Sequence, residues 1–248
     1  MITSEQQHFF LEQGYLHVPN VLGATHLARM QTEFDQVWET EKPPVGGHKL
    51  LKHQAFLELI EHPPILDVHR AFFGRAVQLL QYDLLRQGPG STFAHRAWHR
   101  DFTYPGDRPL SINTILYLDE MTEERGPTYV VPGTHWGEAM PPPERVHEPL
   151  PGEVAVLAQA GDAVFINSAV WHSGARNQTD GLRRGIYLYY GFWWLRPFSD
   201  VQPEMYRIPW QALEGASEQR LELLGLKMPL SDIHMYNPNE ISAINTSE

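Results

Sequence analysis

Apolar positions recur at a helical period through the first third of the chain and at a strand period thereafter. Leu27, Met30, Phe34, Val37 and Trp38 fall on one face of a helix, which predicts a helix over 24–40. A shorter helix is expected over 3–13, with Ser4 and Gln7 at capping-box spacing and Phe9, Phe10 and Leu11 as its apolar residues. Tyr15–Val18 reads as a strand stopped by Pro19, 41–47 as a Pro/Gly loop, and 49–73 as helix in two pieces broken at Pro63-Pro64. From about residue 76 short apolar or alternating runs are separated by Gly and Pro. They predict strands at 77–86, 92–101, 110–118, 128–131, 153–157, 162–167, 169–175 and 183–194. Residues 140–152 read as a Pro-rich surface loop, and 203–225 return to a helical pattern. Many short strands with regular turn signals predict a sandwich or barrel. The expected architecture is one domain over 1–248: a helical N-terminal layer (1–75), a β-rich core (76–198) and a C-terminal cap (199–248).

Composition narrows the chemistry. The 248 residues carry no cysteine, which excludes disulfides, thiolate catalysis, iron–sulfur clusters and cysteine-type zinc sites. A net charge of −11 argues against nucleic acid as a partner. No apolar run is long enough to span a bilayer, so no membrane role is expected. The N-terminus lacks a basic region followed by an apolar stretch, so a cytoplasmic location is expected. Oligomeric state is not legible.

The chemistry concentrates in Trp98-His99-Arg100-Asp101. On a strand, His99 and Asp101 point to one face and Arg100 to the other. An imidazole and a carboxylate so placed can share a metal ion, and His172, after the run Gly161–Asn167, is the best third ligand. Two histidines and one carboxylate on one face of an octahedron leave open positions, the arrangement of non-haem Fe(II) oxygenases. Other readings of these residues compete. His-Arg-Asp also occurs in kinase catalytic loops, but no Asp-Phe-Gly or glycine-rich loop accompanies it here. His95 and His99 are four apart, as on a zinc-binding helix, but the intervening Glu is missing and the segment reads as a strand. His172 alone is more often a hydrogen-bonded structural histidine.

Arg183 follows His172 by eleven residues, with a turn at 177–181 between them. On its strand it shares a face with Gly185, Tyr187 and Tyr189, and its guanidinium can grip a carboxylate through two parallel hydrogen bonds. Gly185 would leave room for a ligand beside it. From the residues alone, two other assignments stand equally: Arg184 buried with Arg183 on the surface, or both exposed.

Together these segments resemble the phytanoyl-CoA dioxygenase family, which includes the ectoine hydroxylases. The resemblance runs through Phe10–Leu22, Trp98–Asp101, Glu124–His135, Gly161-Asp162, His172, Asn177 and Arg183. It implies a double-stranded β-helix (jelly-roll, cupin-like) core and Fe(II) on His99, Asp101 and His172. It further implies 2-oxoglutarate on Arg183, and hydroxylation of a small molecule by O2 with release of succinate and CO2. Because Asp101 is present, hydroxylation is expected rather than halogenation. Gln87 stands where a family-like lysine is expected and Ile115 where an aromatic wall can occur. Gln87 and Asn113 are candidate cosubstrate contacts. Arg96, Phe102, Tyr104, Tyr189, Trp193 and the tail residues His234 and Tyr236 are candidates for the substrate entrance. The loops at 43–48, 102–108 and 140–151 are candidate lids. His135 is expected to fix the loop after Pro132-Gly133. Two alternatives remain at this stage: a cupin-type isomerase or hydrolase that binds a metal without 2-oxoglutarate turnover, and a noncatalytic binding protein.

Overall fold

A computed structural model describes residues 2–227, apart from 76 and 107. The proposed entrance residues His234 and Tyr236 lie outside the described residues.

Helix α1 (Ser4–Gln13) opens with a full capping box, but Thr3 and Gln6 form it instead of Ser4 and Gln7. Gly14 ends it with a left-handed backbone (φ 83°), and a Cβ there would lie 2.7 Å from the His135 ring, so only glycine fits. Strand β1 (Tyr15–Val18) and the long helix α2 (Ala24–Glu41) follow. The stretch predicted as two helical pieces forms three: α3 (Gly47–Leu50), α4 (Gln54–Ile60) and α5 (Pro63–Phe73). Pro63 and Pro64 occupy the first turn of α5, where a missing N–H costs nothing.

The remaining strands are β2 (Val77–Gln87), β3 (Ser111–Tyr117), β4 (Thr128–Val131), β5 (Val154–Val156), β6 (Ala163–Asn167), β7 (Trp171–Ser173) and β8 (Arg183–Phe192). They build two antiparallel sheets, a five-stranded one in the order β1-β6-β3-β8-β2 and a three-stranded one in the order β5-β4-β7. Ile115, Tyr117, Val164 and Ile166 from the larger sheet meet Val130 and Val156 from the smaller, so two apolar faces close on each other as in a jelly roll. The outer face of the larger sheet is covered by helices, and one apolar core runs from Phe10 through Phe34, Phe56 and Ile186 to Leu224. Residues 203–225 hold the short helices α6 (Pro203–Tyr206) and α7 (Glu218–Leu223) in place of the longer helical pattern expected.

Two departures from the sequence reading affect the site. Residues 92–101 form no strand. The segment is irregular and joins the small sheet through a single antiparallel bridge between His99 and His172. Two of the expected lids are fastened down. Gly46 bridges Asp83 and the Leu84 amide donates to the Val45 carbonyl, so the 43–48 loop covers the edge of β2. In the 140–151 loop, the Val146 and Glu148 carbonyls accept from the Trp98 backbone and indole N–H groups, which braces the segment that carries His99.

His69, on α5, is buried among Phe73, Phe165 and Tyr190 and donates or accepts one hydrogen bond with Thr114 (2.7 Å). Burial disfavours its charged form and lowers its pKa from 6.5 to about 3. Between those values the unfolded chain holds a proton that the folded chain refuses. Stability is therefore expected to fall with pH below about 6.5, at about 1.4 kcal/mol per pH unit from this group. His69→Gln should lose that slope, so urea titrations at pH 7 and pH 5 should show wild type losing about 2 kcal/mol more than the variant. Equal losses in the two proteins would exclude His69 as the source.

Candidate active site

His99, Asp101 and His172 offer ligand atoms that all lie within 4.8 Å of one another. His172 is fixed by β7. His99 is fixed by the bridge, in which each histidine amide donates to the other's carbonyl (3.0 and 3.1 Å). Asp101 is set by its own amide, which donates to the Ser168 carbonyl at 2.9 Å. Backbone bonds thus hold the triad where the expected strand does not exist.

The ring chemistry points at a cation. His99 Nδ1 lies 2.8 Å from the Ala97 carbonyl and His172 Nδ1 lies 3.0 Å from the Val170 carbonyl. A carbonyl can only accept, so each Nδ1 carries the proton and each Nε2 keeps its lone pair. Both Nε2 atoms face the same carboxylate oxygen, Asp101 Oδ1, at 3.7 and 3.6 Å. Burial lowers the pKa of His172, with the Asp101 charge opposing, which favours the neutral ring a metal needs. Asp101 Oδ2 is buried without a hydrogen-bond partner. Three lone-pair donors converging on one point, with no proton among them, fit a divalent metal ion, and the N2O set suits iron.

A cavity of about 320 Å3 runs along His99 and His172 between the two sheets. Arg183 sits in its wall, 1 % exposed, while Arg184 turns away to Asp119 and Asp35, so the inward placement of Arg183 is the observed one. Arg183 Nε donates to the Gly126 carbonyl at 2.8 Å, Nη2 is buried without a partner, and among the described residues no carboxylate pairs with it. A buried guanidinium with a free edge is an anion site awaiting its anion. Gly126 must be glycine: φ is +78°, and a Cβ would lie 2.6 Å from two backbone oxygens. The space over Gly185 is filled by the Tyr187 ring, 3.0 Å from where a Cβ would stand, so that glycine makes room for a side chain and not for a ligand.

The other candidates divide. Asn113, Gln87, Ile115 and Tyr189 line the cavity. The Asn113 amide oxygen is buried and unpartnered, open to a ligand. The Gln87 amide is largely committed, accepting from Ser91 Oγ and the Asn177 amide and donating to the Ala175 carbonyl. Arg96 does not reach the cavity: it is buried against Glu153 (2.6 Å) and stacks on Tyr129, so its charge is already met. Phe102, Tyr104 and Trp193 are not among the lining residues either, and Tyr104 is exposed. His135 donates or accepts at the Leu11 carbonyl (2.9 Å), tying the loop after β4 to α1. Tyr187, expected on the Arg183 face, lines the cavity, and so does Asp83, which was not among the candidates. Their signal was the two-residue alternation that carries Gln87 and Arg183 inward.

A two-sheet jelly roll with two histidines and one carboxylate converging beside an unpaired buried arginine defines the class of non-haem metal oxygenases that use an anionic cosubstrate. Residues 10–185 match the family model described as phytanoyl-CoA dioxygenase. The chain belongs to the phytanoyl-CoA dioxygenase family, and it is a 2-oxoglutarate-dependent non-haem iron dioxygenase. It is 30% identical over 209 residues to the dioxygenase trt7 of Aspergillus terreus, covering 71% of this chain and 68% of that protein. It is 24% identical over 232 residues to the peroxisomal phytanoyl-CoA dioxygenase of Mus musculus, covering 77% and 69%. Among solved structures it resembles HygX from Streptomyces hygroscopicus, determined with nickel and 2-oxoglutarate bound, at a TM-score of 0.67 and 20% identity, covering 79% of this chain and 89% of that one. That likeness shows the shared fold.

Proposed function

We propose that this dioxygenase hydroxylates a small molecule, with Fe(II) held by His99, Asp101 and His172 and the distal carboxylate of 2-oxoglutarate held by Arg183. The observation that carries the reading is two features beside one cavity: three lone-pair donors within 4.8 Å of one another, and a buried guanidinium whose Nη2 meets no protein acceptor. Iron and 2-oxoglutarate together supply the oxidising power, one oxygen atom of O2 leaving in succinate as CO2 is lost and the other entering the substrate. The protein's own residues bind and aim. The Nδ1–H bonds of His99 and His172 hold both rings in the ligating tautomer. Arg183 fixes the cosubstrate at one end, with the Asn113 amide as a second polar contact. Leu85, Phe93, Ala97 and Ile115 add apolar wall beside the ligands.

In this reading the whole chain is one catalytic unit, supported by the core that runs from Phe10 to Leu224. It works in the cytoplasm on a small molecule and not on nucleic acid, in keeping with the net charge of −11. Among the described residues no helix is long and apolar enough to cross a membrane.

Anaerobic titration of the apoprotein with Fe(II) and then 2-oxoglutarate is expected to give one bound iron per chain and a weak visible charge-transfer band. Bound metal with no band at saturating 2-oxoglutarate would favour a metal-binding jelly roll of the cupin isomerase or hydrolase kind.

A further inference from the structure

Strand β2 lies beside β8 with Gln87 opposite Arg183, Asp83 opposite Tyr187 and Gln81 opposite Tyr189. Gln87, Asp83 and Arg183 all line the one cavity. Four residues of strand separate Gln87 from Asp83, or roughly 13 Å. The cavity is therefore polarised, with a guanidinium in one region of its wall and a carboxylate in another, neither of them in an ion pair among the described residues.

Asp83 differs from four other shielded carboxylates. Glu61, Asp119, Glu153 and Asp162 each meet an arginine or histidine at 2.6–2.8 Å. Asp83 has no ion-pair partner among the described residues. It accepts hydrogen bonds only from neutral groups, the Gln81 amide and the Tyr206 hydroxyl (3.0 and 3.1 Å). Tyr206 comes from α6, so the C-terminal cap orients this carboxylate. Burial still works against its charge and pushes its pKa up to about 6, which leaves it mostly ionised at neutral pH. The Tyr189 hydroxyl stands within electrostatic reach of both Asp101 and Asp83, which links this region to the metal ligands. The basic residues among those lining the cavity are Arg183, His99 and His172, and the reading above commits all three to cosubstrate and iron.

We propose that Asp83 is the specificity-determining residue of this cavity and receives a protonated amine, so that the substrate is a largely apolar molecule bearing a cationic nitrogen. A cation there would complete a charge pair that the protein leaves half-built, whereas a carboxylate or phosphate at the same place would meet like charge. The proposal rests on the iron and 2-oxoglutarate reading, because it assigns Arg183 to the cosubstrate and leaves Asp83 for the substrate.

The test uses the full chain loaded anaerobically with Fe(II) and 2-oxoglutarate, and two probes on one carbon chain, n-hexylamine and hexanoate, followed by ligand-observed NMR at pH 7.5. Wild type should bind hexylamine at least about tenfold more tightly than hexanoate, the scale of one charge pair. In Asp83→Asn, which keeps the shape and an acceptor for Tyr206, the two affinities should come within about threefold. The visible 2-oxoglutarate band should be the same in both proteins, which shows that the variant is folded and loaded. Hexylamine binding no tighter than hexanoate in wild type would overturn the proposal. So would a preference that survives in Asp83→Asn with the band intact. Absence of the band in wild type would instead overturn the cosubstrate reading beneath it, and this inference with it.

Discussion

Arg183→Ala is expected to weaken 2-oxoglutarate binding by about 10²–10³-fold, while iron remains bound. The size follows from what surrounds the guanidinium. It is 1 % exposed, has one bond to the Gly126 carbonyl, and keeps Nη2 free for a ligand. Burial works against its charge, but Tyr187 and Tyr117 beside it more than offset this and raise its pKa. Truncating one partner of a buried, hydrogen-bonded charge pair costs about 3–5 kcal/mol, most of it from the charge left without a partner. The loss should appear in the KM for 2-oxoglutarate and in the concentration needed to develop the visible band. Arg183→Lys should recover part of it, since an ammonium restores the charge but not the two parallel bonds. The triad does not touch Arg183, so retention of iron separates a lost anchor from a lost fold. Unchanged 2-oxoglutarate affinity in Arg183→Ala would return the site to the class of metal-binding jelly rolls without this cosubstrate.

What the sequence disclosed and what it concealed follow from the range of the forces involved. Strands β2, β3, β6 and β8 were legible because each buries at least one face and alternates or runs apolar accordingly. The triad was legible through residue type, yet the reason given for His99 and Asp101 was wrong. No strand alternation aims them. A single bridge to His172 and a bond to the Ser168 carbonyl do, and neither leaves a local pattern. Thr3 displaced Ser4 as the cap because the first-turn amide that needs an acceptor is that of Gln6, a shift of one residue that propensity does not resolve. Arg96 was a candidate for the substrate entrance, but Glu153, 57 residues away, neutralises it, and no local pattern signals that pairing. Asp83 went unnoticed for the converse reason: a charged residue in a strand is by default a solvated one, and only the fold shows that it lines the cavity between the sheets.

His172→Ala should abolish turnover and iron retention together. Of the two histidines it is the buried one, with 5 % of its side chain exposed against 51 % for His99, so water cannot easily replace its Nε2. Losing even an outer partner of a metal ligand costs about 10–100-fold in metal affinity, and losing the ligand itself should exceed about 100-fold. Dialysis followed by metal analysis should therefore return an iron-free protein, with no visible band on adding 2-oxoglutarate. The fold should survive. The bridge to His99 is made by backbone atoms, and the side chain contributes one hydrogen bond, so the metal-free variant should lose only about 1–2 kcal/mol of stability. Asp101→Asn gives the complementary result. It keeps the shape of the side chain but replaces a charged donor oxygen by a neutral amide, so iron should weaken without any change in packing. If His172→Ala still held one iron per chain and released succinate, the two imidazoles facing Asp101 would be a structural pair, and the metal would have to lie elsewhere.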